Sequence, residues 1–190
     1  MLATRGILKN WRPNGIVAMR TIFNANEMAY SEKRLIGFSR EEMFNVVANV
    51  NDYHHFVPWC RSSTVTHEHD NSQIATLEIG FPPLLEKYTS RVIYIKPSVV
   101  HSVVIENDNL FKTLDTTFRF GKGKEGIERS CTLHYDLVFE FESAFHSRIA
   151  HLFFDRVVKT MVTAFLERAQ HEYGQPTFPH SEAKVLQYKA

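Results

Sequence analysis

The sequence predicts an α+β domain of helix-grip architecture, a curved antiparallel sheet of about seven strands wrapped around one long C-terminal helix, with two short helices after the first strand. Three observations predict it. Residues 143–173 contain neither Pro nor Gly, end at Gly174, and carry an apolar arc of roughly half the helix circumference, against the roughly 100° that an ordinary surface helix needs. Residues 61–141 divide into six segments of period two, separated by turn residues. The spacers between them are too short for the crossover that a parallel sheet requires, so neighbours in sequence pair antiparallel.

In chain order, residues 1–26 bear Arg5, Lys9, Arg12 and Arg20 with no acidic residue, the pattern of a mitochondrial targeting segment. The segment lacks Ser and is interrupted by Pro13 and Gly15, so a disordered basic tail is the alternative. The domain is expected over 27–173, with 174–190 as a C-terminal tail because Pro176 and Pro179 follow Gly174 closely. Met28 to Phe38 reads as the first strand. Ser39-Arg40-Glu41-Glu42 is a capping box, and Met43, Val46, Val47 and Val50 continue it at helical spacing. A second short helix over Asp52 to Phe56 must stop before Pro58.

The six further strands are Arg61–His69, Gln73–Phe81, Tyr88–Lys96, Ser98–Glu106, Leu110–Phe120 and Ile127–Phe141. In the last, Cys131, Leu133, Tyr135, Leu137, Phe139 and Phe141 alternate with Thr132, His134, Asp136 and Glu140, giving one apolar face that needs a cover. The long helix is the only element large enough to cover it. Phe153, Val157, Met161, Ala164 and Phe165 share one side of that helix, and Phe154, Val158 and Val162 widen it. Arg148, Asp155, Lys159 and Thr163 form its polar stripe. A helix so broadly apolar either fills a solid core or lines a cavity against the sheet.

Composition narrows the function. A net charge of +1 over 190 residues leaves no overall nucleic-acid footprint. Cys60 and Cys131 have neither CxxC nor zinc-finger spacing. No apolar run reaches the roughly 18 residues of a membrane span, so membrane contact is expected to be peripheral. Gly121-Lys122-Gly123-Lys124-Glu125-Gly126 matches GxGxxG, but a strand follows where a dinucleotide site needs a helix N-terminus, so it reads as a hairpin turn. His67 and His69 share a strand face without a third ligand in register, and His54-His55 near Cys60 sits in no catalytic motif. No catalytic or metal-binding residues are assigned.

Two apolar stretches stand out. Asp52-Tyr53-His54-His55-Phe56-Val57-Pro58-Trp59-Cys60 brings three aromatics into a Pro-stiffened corner. Gly80-Phe81-Pro82-Pro83-Leu84-Leu85-Glu86 places Phe81, Leu84 and Leu85 in an expected loop, where they either fold under the sheet or form a membrane-contacting lip.

These stretches, with Tyr88-x-Ser90-Arg91-Val92 and the helix before them, resemble the coenzyme Q-binding proteins of mitochondria, START-like domains of polyketide-cyclase type. The resemblance covers roughly Tyr30 to Tyr173. It implies a helix-grip fold binding ubiquinone or a related polyprenyl lipid, with ubiquinone as ligand and no cofactor. It further implies a non-enzymatic protein, peripheral on the matrix side of the inner membrane, that serves respiration and quinone synthesis and contacts the complexes engaged in them. Combined with the patterning, it nominates Phe56 and Trp59 at the mouth, Leu133, Tyr135 and Leu137 on the sheet, and Phe153, Val157 and Met161 on the helix, with Tyr135 or Trp59 donating to a quinone carbonyl. Two rivals remain. A cyclase or hydrolase of the same fold would draw on His101, Asp115 and His134. A ribosome-associated module like the bacterial toxin relatives would need a basic face from Arg61, Arg91, Lys96, Lys112, Arg119, Lys122 and Lys124.

Overall fold

The computed structural model describes residues 27–81, 84–107 and 110–190; for Phe81, Leu84 and residues 144–153 it describes the backbone only. The expected targeting segment therefore lies outside the described residues. The elements are β1 (Glu27–Ile36), α1 (Arg40–Ala48), a 3₁₀ turn (Val50–His55), β2 (Cys60–His69), β3 (Ser72–Phe81), β4 (Leu84–Ile95), β5 (Val99–Asn107), β6 (Phe111–Gly121), β7 (Cys131–Phe141), α2 (Ala144–Tyr173) and β8 (Lys184–Lys189).

The capping box forms as its sequence dictates. Ser39 Oγ accepts from the Glu42 N–H at 3.1 Å, and Glu42 Oε2 accepts from the Ser39 N–H at 2.8 Å, satisfying two N–H groups that a helix start would otherwise leave orphaned. β2 to β7 pair as consecutive antiparallel neighbours. β1 closes beside β7, with Glu32 opposite Tyr135, and the sheet order is β2-β3-β4-β5-β6-β7-β1-β8.

α2 lies in the concave face and buries Phe154, Val158, Val162, Phe165 and Leu166. Opposite stand Met28, Tyr30 and Ile36 of β1 and Leu133, Tyr135, Leu137 and Phe139 of β7. Aromatic contacts seat the helix: Phe154 on Phe139 with ring centroids 5.7 Å apart, Phe165 on Phe118 at 5.0 Å. The inward positions of β4 to β6 behave differently. Ser90, Ser102 and Thr116 present short side chains there, so the sheet falls short of the helix and a space remains.

Three expectations are corrected. The fourth strand starts at Leu84 rather than Tyr88, and Leu84 and Leu85 pair with Phe81 and Gly80. The two leucines are thus the first rungs of β4 against β3, because the backbone pairing runs to Phe81 and Leu84. The strand expected from Ile127 begins at Cys131, after a turn in which Gly126 takes φ +76°.

The third correction concerns 174–190, expected as a tail. Residues 184–189 add an eighth strand on the free edge of β1, with Tyr188 opposite Tyr30. Its side chains are mostly exposed, so it has no alternation to read, and pairing with β1 rather than burial creates it. The path to β8 passes so close to Gly37 that a Cβ there would stand 2.7 Å from the Phe178 carbonyl oxygen. The Thr177 N–H donates to the Gly37 carbonyl at 3.0 Å across this approach.

Candidate functional site

The space between α2 and the sheet is a cavity of about 200 Å³, against roughly 10–15 Å³ for a single water on the same measure. It is sized for an organic molecule. Toward the corner after the 3₁₀ turn, the paired ends of β3 and β4 and the end of β7, its lining residues Pro58, Trp59, Ile79, Glu86 and Phe141 are partly exposed, whereas Phe118, Tyr135 and Leu137 are buried, which makes this end the mouth. Trp59 adopts φ +63°, a left-handed conformation disfavoured for a bulky residue, and its carbonyl accepts from the Gly80 N–H at 2.9 Å. That bond ties the aromatic corner to the hairpin, so both sides of the mouth are held together.

The walls are aliphatic and aromatic, interrupted by hydroxyl groups of Tyr53, Tyr88, Ser90, Ser102, Thr116 and Tyr135. Tyr53 is satisfied by the wall itself, donating to the Val47 carbonyl at 2.5 Å. Burial pushes the phenols of Tyr53, Tyr88 and Tyr135 far above their ordinary range, so each is a neutral donor at any physiological pH. Burial likewise raises the Cys60 thiol to about 11, which leaves it protonated and unreactive. Among the described lining residues Glu86 is the one charged side chain, and no Lys, Arg or His takes part. Such a site can bury an apolar molecule and offer neutral hydrogen bonds to its polar end. Among the described lining residues there is no cation to meet a carboxylate or phosphate.

Of the nominated residues, Trp59, Tyr135, Leu137, Val157 and Met161 line the cavity. Phe56 packs behind the mouth instead, 5.7 Å from Tyr53 and 5.3 Å from Phe165. Leu133 is fully buried in the core and is not among the residues that line the cavity. The side chains of Phe153, Phe81 and Leu84 lie outside the described residues. Leu85 is 53% exposed beside the lining residue Glu86, at the rim.

Sequence reasoning missed Phe111, Leu114 and Phe118 of β6 and the hydroxyl residues of β4 to β6. The β6 trio was within reach, since Leu114 and Phe118 share the inward parity of their strand. The hydroxyls had no such signal.

The acid–base candidates point away. His101 Nε2 and Asp115 Oδ2 are 3.0 Å apart, but both residues alternate with the cavity-lining Ser102 and Thr116 and face the convex side. His134 alternates in the same way with Tyr135. Among the described residues no three His, Cys, Asp or Glu side chains gather into a metal-binding group, and no helix is long and apolar enough to cross a membrane. Of the basic residues weighed for a ribosome-binding face, Lys112 is paired with Glu140 at 3.0 Å and Arg119 with Asp136 at 2.6 Å.

Residues 36–166 match the family model described as polyketide cyclase/dehydrase and lipid transport. The chain is 40% identical over 165 residues to the mitochondrial coenzyme Q-binding protein COQ10 homolog B of Xenopus laevis, covering 87% of this chain and 67% of that one. It is 37% identical over 155 residues to the mitochondrial coenzyme Q-binding protein COQ10 of Drosophila melanogaster, covering 82% and 64%. It is 28% identical over 140 residues to the ribosome association toxin RatA of Pseudomonas aeruginosa, covering 74% and 94%. The chain thus spans about two thirds of the length of the two animal relatives. Among solved structures, the ZhuI aromatase/cyclase from Streptomyces sp. R1128 superposes with a TM-score of 0.67 at 13% identity, covering 77% of this chain and 95% of that one. At that identity the likeness is one of fold.

Proposed function

Because the chain belongs to the COQ10 group of the START-like polyketide cyclase/dehydrase and lipid-transport family, we propose that its cavity binds coenzyme Q or a closely related polyprenyl lipid, without chemical conversion. The observation that carries this reading is the character of the lining: apolar walls, neutral hydroxyls and, among the described residues, no cationic side chain. Fatty acids and phospholipids present anions that would be buried unpaired in such a site, at a cost far above that of a neutral head group. A quinone is neutral, offers only acceptor oxygens, and carries an isoprenoid tail whose burial is favourable by roughly 25 cal/mol per Å².

The cavity accommodates the ring and the first part of the tail. The remaining tail leaves through the mouth, past Leu85, toward a membrane. The protein is accordingly a peripheral one that carries or chaperones quinone at the matrix face of the mitochondrial inner membrane, in support of respiratory electron transport and quinone synthesis. With His101, Asp115 and His134 on the convex face and Cys60 protonated, the described lining residues offer no acid–base pair suited to a cyclase reaction.

The test is extraction of the purified protein with organic solvent and quantification of quinone per mole of chain by mass spectrometry, followed by titration of the stripped protein with a short-chain ubiquinone. Near-stoichiometric quinone with saturable rebinding is expected. Recovery of phospholipid or fatty acid alone, with no quinone uptake on titration, would sink the reading.

A further inference from the structure

The hydroxyls of the cavity are not scattered. Thr116 of β6 stands directly opposite Ser102 of β5, which places their Cβ atoms about 4.5–5.5 Å apart. Ser90 of β4 pairs with Val104, two residues from Ser102, and so lies on the diagonal, about 7–8 Å away. On the other flank Thr116 pairs with Leu137, and Tyr135 is the next inward residue of β7. The four form a line that crosses four adjacent strands and descends from Ser90 to Tyr135.

All four line the cavity. Ser90 is 2% exposed and Tyr135 1% exposed, yet among the described residues no side-chain hydrogen bond is formed by either hydroxyl, nor by those of Ser102 and Thr116; none of the four oxygens is sealed inside the protein, so each opens onto the cavity. A hydroxyl that faces an enclosed space and is not bonded by the wall is free to bond whatever occupies that space. Tyr53, on the same wall, shows that this fold satisfies a hydroxyl when nothing else has to meet it.

We propose that the row Ser90, Ser102, Thr116 and Tyr135 is the head-group site: it holds the oxygen-bearing ring of the ligand at mid-depth on the concave sheet, ring inward and tail toward the mouth. The inference rests on the quinone reading and adds to it a position, an orientation and a basis for specificity. The hydroxyl protons donate to the carbonyl and alkoxy oxygens of the ring. Two residues along β6 from Thr116, Phe118 pairs with Tyr135 and their rings pack with centroids 4.7 Å apart, so a ring seated at the row meets an aromatic surface there. Above it the walls are Leu110, Phe111, Phe141 and Val157, suited to a hydrocarbon. A tail-first ligand would place its polar ring among those apolar groups and leave the row unsatisfied.

The experiment compares wild type with Ser102→Ala/Thr116→Val, which removes two hydroxyls and keeps side-chain size. Two probes are titrated into the stripped full-length protein: a short-chain ubiquinone and an isoprenoid hydrocarbon of the same tail length. Quinone affinity should fall about tenfold or more, as expected for two lost hydrogen bonds, while hydrocarbon affinity stays within about twofold. The ligand-free variant should melt no lower than wild type, since no protein partner is lost. Equal quinone affinity in variant and wild type overturns the row and leaves the quinone reading standing. A parallel fall for both probes, or a lowered melting temperature, assigns the hydroxyls to packing and also overturns it. Wild type that takes up the hydrocarbon but no quinone overturns the functional reading itself. Ser90→Ala alone is read by the same criteria if the double variant fails to fold.

Discussion

Arg168, late in α2, is bonded to the carboxylate of Asp52 in the 3₁₀ turn, and its guanidinium lies 5.6 Å from the Phe56 ring centroid. Its Nε is also 2.8 Å from Glu172, one helical turn on. One side chain thus fastens the helix to the segment that leads into the mouth, and does so through a charge and an aromatic face at once. The partners are about four-fifths buried, so solvent screens them only in part.

Arg168→Ala is therefore expected to destabilise the protein by about 1.5–3 kcal/mol, the range for hydrogen bonds to charged groups. Arg168→Lys should recover little of this, because an ammonium cannot reproduce the planar stacking on Phe56. Denaturant melts of both variants and of Asp52→Asn give the measurement. Additive losses for Arg168→Ala and Asp52→Asn in the double variant would mean that the two residues are energetically independent.

Two valines on α2 separate cavity from core. Val157 lines the cavity and is half-buried, whereas Val162, on the same helix, is fully buried in the cluster between α2 and β1. Val157→Trp should fill ligand space, removing co-purified quinone at a stability cost below about 1 kcal/mol. Val162→Trp should cost about 1–3 kcal/mol or more, because a close-packed core has no room to give. Thermal melting paired with quinone content per mole reads both. A Val157→Trp protein that melts as low as Val162→Trp would make that face of the helix solid core.

The elements legible in the sequence were those in which burial and period agree. The capping box at Ser39, the alternation of β7 and the unbroken α2 each carry a local signal that tertiary packing reinforces. Where packing contradicts the local signal, reading failed. Ser90, Ser102 and Thr116 face the cavity, but a hydroxyl in a strand is the usual mark of the solvent side. Glu32 is fully buried beneath α2, where it accepts from Tyr30 at 2.5 Å and from Arg34 at 2.6 Å. A lone Glu in a strand reads as outward, and only the two partners, neither predictable from spacing, make its burial affordable. β8 was hidden for a third reason. Tyr188 bonds Asp155 and packs on Phe154 and Tyr30, contacts that no pattern within Lys184–Lys189 announces.

The segment leading to β8 is expected to loosen in mild acid. The Gly37 N–H donates to His180 Nδ1 at 3.3 Å, so that nitrogen must be unprotonated. Burial, and then the Arg34 charge, hold the His180 pKa below the ordinary 6.5. The unfolded chain therefore takes up a proton near 6.5, while the folded chain resists until lower pH. The stabilisation is fully present above about 6.5 and declines as pH falls below it, toward the depressed folded value. His180→Gln keeps an acceptor and cannot titrate. Between about pH 7.5 and 5.5 wild type should lose more melting temperature than His180→Gln. Parallel curves for the two proteins would remove His180 from the acid response.

Leu85 gives the sharpest test of the proposed membrane contact at the cavity. It is 53% exposed, it is the second residue of β4 beside Glu86 of the cavity rim, and its neighbour in register is Gly80, which offers no side chain to cover it. An exposed leucine is ordinary by itself. This one stands where a tail leaving the cavity would pass, and burying it in a bilayer interface is worth about 1.5–3 kcal/mol. Leu85→Asp exchanges that gain for the cost of desolvating a charge, so partitioning onto liposomes of inner-membrane composition should fall about tenfold or more. Stability should change by no more than about 0.5 kcal/mol, as for other surface positions. Val185→Asp is the control. Val185 is 51% exposed, nearly the same as Leu85, but it sits on β8, across the sheet from the hairpin. Loss of liposome binding in both variants would mark a general effect of added negative charge, and unchanged binding in Leu85→Asp would move the membrane contact away from the hairpin. Loss confined to Leu85→Asp would place the contact at the cavity mouth, where a tail can pass from protein to bilayer without crossing water.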